Sequence, residues 1–136
     1  SLREGTKNFC RTIRRIAHER EEISVVADQR GAPTLAEDLA DALLALYLKG
    51  EHLKPMHLLH FTNAGSTTWH GFAERIVELE GARCRVKPIS TSEYPAKAPR
   101  PAFSVLSLER IRRLGIEPRP WAAALEDAFQ RMKEQS

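Results

Sequence analysis

Apolar residues recur along this chain in two alternating periods, one near 3.6 and one near 2. Phe9, Ile13, Ile16 and Ala17 lie at helical spacing with Arg11, Arg14 and Arg15 largely opposite, which predicts an amphipathic helix over residues 8 to 20. A β-rich stretch, Ile23, Val25 and Val26, follows, and Asp28, Gly31 and Pro33 supply turn chemistry after it. Thr34 is placed to cap a second helix whose Leu35, Leu39, Leu43, Leu46 and Tyr47 form the expected buried stripe, with Gly50 as the stop. Met56 to Phe61 reads as a strand ending in the turn Asn63-Ala64-Gly65. Ser66, Thr67 or Thr68 then caps a third helix that turns Phe72, Ile76 and Leu79 inward and ends at Gly81.

The second half continues the alternation. Arg83 to Ile89 is a short strand, and Pro95, Pro99 and Pro101 predict an extended loop without helix, because each proline fixes φ and removes a donor. Two helices close the chain, one near 107 to 114 ended by Gly115 and one opened by Pro120, with Trp121, Leu125, Ala128 and Met132 along one face. Strands alternating with about five helices make the fold class α/β. A length of 136 residues suits a single domain with a core of its own.

Composition narrows the function classes. Lys and Arg total 21 against 18 Asp and Glu, interspersed as in Glu74-Arg75 and Glu109-Arg110, so the surface is mixed and shows no basic stripe for nucleic acid. No apolar run reaches membrane-spanning length and no signal peptide opens the chain, so a soluble, cytoplasmic protein is expected. Cys10 and Cys84 form no CxxC pair and are expected to be reduced thiols. His57 and His60 fall on opposite faces of the predicted strand, and His18, His52 and His70 are isolated. The glycines at 5, 31, 50, 65, 71, 81 and 115 make no phosphate-binding Gly-rich turn. No Walker loop, HExxH or GxSxG is present.

Five landmarks in order resemble one family. Asn8-Phe9 is similar to its NF, and Asp28-Gln29-Arg30-Gly31-Ala32-Pro33-Thr34 with Asp38-Leu39-Ala40 to its DQxGxPT…DLA segment. Thr67-Thr68-Trp69-His70-Gly71-Phe72-Ala73 resembles its T-[ST]-W-x-x-[FY]-A segment. Tyr94-Pro95 to Arg100-Pro101, with Ser104 and Leu106, resembles YPTPAxRPxxSxL, and Pro120-Trp121 its PW. The family is the dTDP-4-dehydrorhamnose reductases, within the extended short-chain dehydrogenase/reductases. Ala96 and Lys97 depart from its Thr-Pro, and Ser107 stands where Asp or Asn is usual.

The resemblance implies that residues 1–136 are the C-terminal substrate (nucleotide-sugar) binding domain, a fragment of a longer two-domain chain. The Rossmann domain, with its Gly-rich loop and Tyr-x-x-x-Lys, is absent from the sequence given. The chain indeed opens at Asn8 as if an earlier part had been cut away, with Ser1 and Leu2 readable as a cloning remnant. The implied reaction is reduction of dTDP-4-dehydro-L-rhamnose to dTDP-L-rhamnose by NADPH or NADH bound in the missing domain. The fragment alone is expected to be inactive.

Within this chain, the dTDP-sugar is expected to meet Arg100, Asn8, Gln29, Tyr94 and Trp69. Arg100 sits between two prolines, and a guanidinium grips phosphate bidentately, a charge-assisted bond contributing about 1.5–3 kcal/mol. Asn8 is equally suited to capping a helix, Gln29 to stabilising its turn, and Tyr94 to packing under the proline loop. Trp69 is better suited to anchoring a core than to stacking on a ligand. Glu37 resembles a position through which some family members bind Mg2+ at a homodimer interface, although a glutamate at a helix start is also favoured by the dipole alone. The segment resembling an outer Rossmann strand, 56 to 61, would be left without neighbours and is expected to rearrange or self-associate. The alternative class is a non-catalytic binding or regulatory module of the same fold, as in the methionine adenosyltransferase β subunit.

Overall fold

The computed structural model describes residues 8–51, 55, 58–94 and 98–134. They fall into two compact units, one running to residue 31 and again from 66 to 105, the other covering 32–65 and 106–134.

The first unit is built on a two-stranded parallel pair. Strand β1 (Glu22–Val26) lies beside β4 (Arg85–Ile89), with Glu22 opposite Arg85 and Val26 opposite Ile89. Helices α1 (Phe9–Glu19) and α3 (Trp69–Glu80) pack on each other and on β1. Ile13, Ala17, Ile23, Val25, Val26, Ala73, Ile76, Val77 and Cys84 are buried here. The predicted α1 starts where Asn8 accepts the Arg11 amide at 2.9 Å, one of the four donors a helix start leaves orphaned. At the far ends of the two helices, Arg14 and His18 both bond the Glu80 carboxylate. Thr68, among the three residues expected as cap, takes the Gly71 amide at 3.0 Å, and Gly81 ends α3 at φ 65°, a left-handed conformation costly for any other residue. Two further strands of two residues each, β2 (Arg30–Gly31) and β3 (Thr67–Thr68), pair antiparallel.

The second unit contains α2 (Ala36–Leu48), α4 (Glu109–Arg113) and α5 (Trp121–Glu134). Its buried cluster is Ala42, Leu108 and Ile111, with Leu46, Phe61, Ala64 and Ile116 packed against it. This bears out the stripe expected on α2 at Leu46 but not along its length. Leu43 and Tyr47 are 58% and 60% exposed, Leu39 is exposed as well, and the buried contact runs through the smaller Ala42. Thr34 does not cap α2: its hydroxyl donates to the Ala32 carbonyl, and Leu35 holds the cap position without a side-chain bond.

The strand expected at 56 to 61 is corrected too. Residues 58 to 61 belong to no strand, while Met56 and His57 lie outside the described residues. Pairing starts further along, where Ala64 bridges Pro120. The Ala64 amide donates to Arg119, and Trp121 donates back to the Ala64 carbonyl. Gly65 sits at φ 84° under the Trp121 ring, 3.3 Å from where a Cβ would stand.

Candidate functional site

Four consecutive residues, Asp28 to Gly31, tie together three stretches of the first unit. Asp28 accepts the Thr91 amide at 2.9 Å and the Thr91 hydroxyl at 2.6 Å. Gln29 Nε2 donates to that same hydroxyl oxygen at 3.0 Å. Arg30 donates its amide to Ala102 and accepts from Ser104 with its carbonyl, forming a bridge at Phe103. Along its other edge, Arg30 pairs with Thr68 and Gly31 with Thr67. The Arg30 guanidinium reaches the Ser66 hydroxyl at 3.0 Å. A Cβ at Gly31 would stand 3.0 Å from Ser104 Oγ, so close approach, and not an unusual φ, calls for glycine there.

Each stretch held by this turn leads into a residue singled out from the sequence. Ser66 to Thr68 run into α3 at Trp69, Thr91 to Glu93 form one turn of 3-10 helix before Tyr94, and Ala102 to Ser104 follow Arg100 and Pro101. The 3-10 turn is closed by its own capping box, Ser90 with Glu93. Bonds from the Ser90 amide and hydroxyl hold the Glu93 carboxyl below its ordinary range, and Thr91 does the same for Asp28. The described part of the proline-rich stretch contains no helix or regular strand beyond that turn, as expected from its prolines.

All five sugar-site candidates, Asn8, Gln29, Trp69, Tyr94 and Arg100, fall in this unit. Arg100 is exposed. Tyr94 is 48% exposed. Trp69 is 42% exposed and leans on Phe9 at a centroid distance of 4.8 Å, which corrects its expected role as a buried core anchor. Its remaining ring surface is open because Phe9, itself stacked on Phe72, covers only one side. Gln29 is buried, and Asn8 Oδ1 is engaged in the α1 cap. Sequence reading gave Asp28 only a turn role and Ser66 only a possible capping role, and passed over Thr91. The Ser90-x-x-Glu93 pattern could have flagged a fixed turn, but its link to Asp28 joins residues 63 positions apart and leaves no local signal.

Glu37 is exposed in the first turn of α2. No group of three His, Cys, Asp or Glu residues able to hold a metal ion occurs among the described residues. A network of another kind lies beside Glu37. Asn63, 1% exposed, accepts the Leu35 amide and donates to Asp38, which also takes a bidentate bond from Arg119 at 2.8 Å on each oxygen. Burial alone raises the Asp38 carboxyl, but Arg119 and Asn63 outweigh it and hold it below the ordinary carboxylate range. Cys10 is pushed up to about 11 by burial, which fits an inert thiol.

Three helix starts among the described residues are unsuited to a dinucleotide's phosphates. Asn8 and Thr68 close the N-termini of α1 and α3 with their own side chains, and α2 opens with Glu37 and Asp38, which repel phosphate. No helix among the described residues is long and apolar enough to cross a membrane.

A family model described as the RmlD substrate binding domain matches residues 2–134. A dTDP-4-dehydrorhamnose reductase of Burkholderia thailandensis is 44% identical over 133 residues, covering 88% of this chain and 45% of that protein. The spore coat polysaccharide biosynthesis protein SpsK of Bacillus subtilis is 40% identical over 126 residues, covering 93% and 43%. Among solved structures, a dTDP-4-dehydrorhamnose reductase from Clostridium acetobutylicum superposes with a TM-score of 0.85 at 30% identity, covering 95% of this chain and 45% of that one. One from Bacillus anthracis, solved in complex with NADP, gives 0.76 at 35%, covering 90% and 42%. The chain thus spans less than half the length of each of these relatives.

Proposed function

The chain belongs to the RmlD substrate binding domain family, and we propose that it supplies nucleotide-sugar recognition to an NADPH-dependent dTDP-4-dehydrorhamnose reductase. Residues 1–136 act in this reading as the substrate domain of a longer protein. Hydride transfer to the 4-keto group, giving dTDP-L-rhamnose, takes place where this domain meets a dinucleotide-binding domain that supplies the Tyr-x-x-x-Lys pair. The observation that carries the reading is the Asp28–Gly31 turn. It fixes in one unit the stretches bearing Trp69, Tyr94 and Arg100, an aromatic surface, a phenol and an unburied cation. A diphosphate sugar calls for that combination of a guanidinium for phosphate and flat apolar surface for base or sugar. Holding such groups in place before binding spares the ligand the cost of ordering them.

Following NADPH oxidation with dTDP-4-dehydro-L-rhamnose tests the proposal. The full-length protein should turn over while this chain alone does not, and Arg100→Ala should raise KM roughly tenfold with little change in kcat. A full-length protein without activity on the 4-keto sugar, or an Arg100→Ala enzyme with unchanged KM, would refute it.

A further inference from the structure

Three linked hydrogen bonds decide which way one buried amide is turned. Asp28 accepts both the amide and the hydroxyl of Thr91. An ionised carboxylate offers only lone pairs, so the single hydroxyl proton of Thr91 must point at Asp28. With that proton committed, Thr91 Oγ can only accept from Gln29, 3.0 Å away, and the Gln29 atom facing it must be the Nε2 donor. The two ends of a glutamine amide are nearly alike in shape, so this relay is what distinguishes them. Gln29 is 6% exposed, and its Oε1 takes no bond from a described residue yet is not sealed from solvent. A carbonyl oxygen held in a set direction at the edge of a buried side chain favours ligands that bring it a donor over ligands that cannot.

We infer that Gln29 determines specificity as a fixed acceptor, its Oε1 receiving a hydrogen bond from a hexose hydroxyl or the thymine imide N–H of the nucleotide sugar, with Asp28 and Thr91 as positioning residues acting through it. This rests on the nucleotide-sugar reading above and adds the polarity of the contact. Besides the 3′-hydroxyl of its deoxyribose, which every probe below retains and which would give an equal loss on all of them, a dTDP-sugar has two kinds of donor, the hexose hydroxyls and the imide N–H of thymine. The relay also has a reversible logic. In Asp28→Asn the new carboxamide can accept the Thr91 amide while donating to Thr91 Oγ. That frees the hydroxyl proton for Gln29, whose amide then turns over and presents Nε2 in place of Oε1. One near-isosteric change outside the contact thereby inverts it.

Calorimetric titration of the protein with dTDP-glucose, with dTDP, and with dTDP-glucose methylated at the imide nitrogen tests the inference. Gln29→Met and Asp28→Asn should each weaken dTDP-glucose roughly tenfold. That loss should vanish for one truncated ligand: for dTDP when the donor is a hexose hydroxyl, for the methylated ligand when it is the imide. Thermal melting accompanies both variants, and Asp28→Asn, which keeps every heavy-atom position, serves should Gln29→Met fail to fold. An equal loss on all three ligands, or no loss on any, overturns the inference and leaves nucleotide-sugar binding standing. A wild-type protein that binds none of the three overturns both.

Discussion

Single residues in this protein divide into those spent on the fold and those left for a ligand. Asn63 is of the first kind. Its amide is fully buried and satisfies the Leu35 N–H while bonding Asp38 and the Arg119 carbonyl, so no smaller residue can replace it without stranding a buried backbone donor. Asn63→Ala should cost about 2–3 kcal/mol of unfolding free energy in urea titrations. Gly81 tests conformation in isolation. At φ 65° with open space around it, a Cβ there meets no neighbour, and Gly81→Ala should lower stability by about 1 kcal/mol through backbone strain alone. Asp38 gives the same network a pH signature. Its carboxyl is depressed in the folded state, so the unfolded chain binds the extra proton, and the stability it contributes is present above the usual carboxylate range and lost as pH falls through the folded value. Urea midpoints of Asp38→Asn should lie below those of the wild type near pH 7 and converge on them in acid.

At the level of elements, α2 sets the sharpest contrast between a helix's pattern and its packing. Leu39, Leu43, Leu44 and Leu48 stand exposed, and its contact with the core is Ala42 with Leu46 beside it. Leu43→Ser should therefore shift stability by no more than about 0.5 kcal/mol, whereas Ile111→Ala, at a site 1% exposed, should cost about 2–5 kcal/mol by thermal or chemical denaturation. The existence of α2 was legible because apolar spacing and Gly50 frame it. Its orientation was not, since Leu39, Leu43, Leu44, Leu46, Tyr47 and Leu48 together cover so wide an arc that the pattern singles out no one face, and burial depends on which neighbours arrive. The ends of α1 and α3 were legible for a local reason: Asn8, Thr68 and Gly81 act within one turn of their own backbone. Strands β2 and β3 were not, because two residues carry no period and the pair exists only through a distant partner, Arg30 with Thr68. The candidate site shows the same division. Arg100, Tyr94, Gln29 and Trp69 stand out by type and motif, but the Asp28–Thr91 contact that organises them is a fact of folding.

Across the whole molecule, the chain passes between the two units at residues 31 and 32, 65 and 66, and 105 and 106, so that each unit is assembled from two separated lengths of sequence. The family match runs through both, from residue 2 to 134. The parallel pair at the heart of the first unit joins residues 63 positions apart, Glu22 with Arg85. On a ribosome adding about 5–20 residues per second, β1 then waits on the order of 3 to 13 seconds for its partner to be made. During that interval Ile23, Val25 and Val26 form a short β-rich apolar segment with no strand to cover it. Synthesis order thus gives this domain a vulnerable period that its finished structure conceals, and one during which a chaperone would find its target at β1.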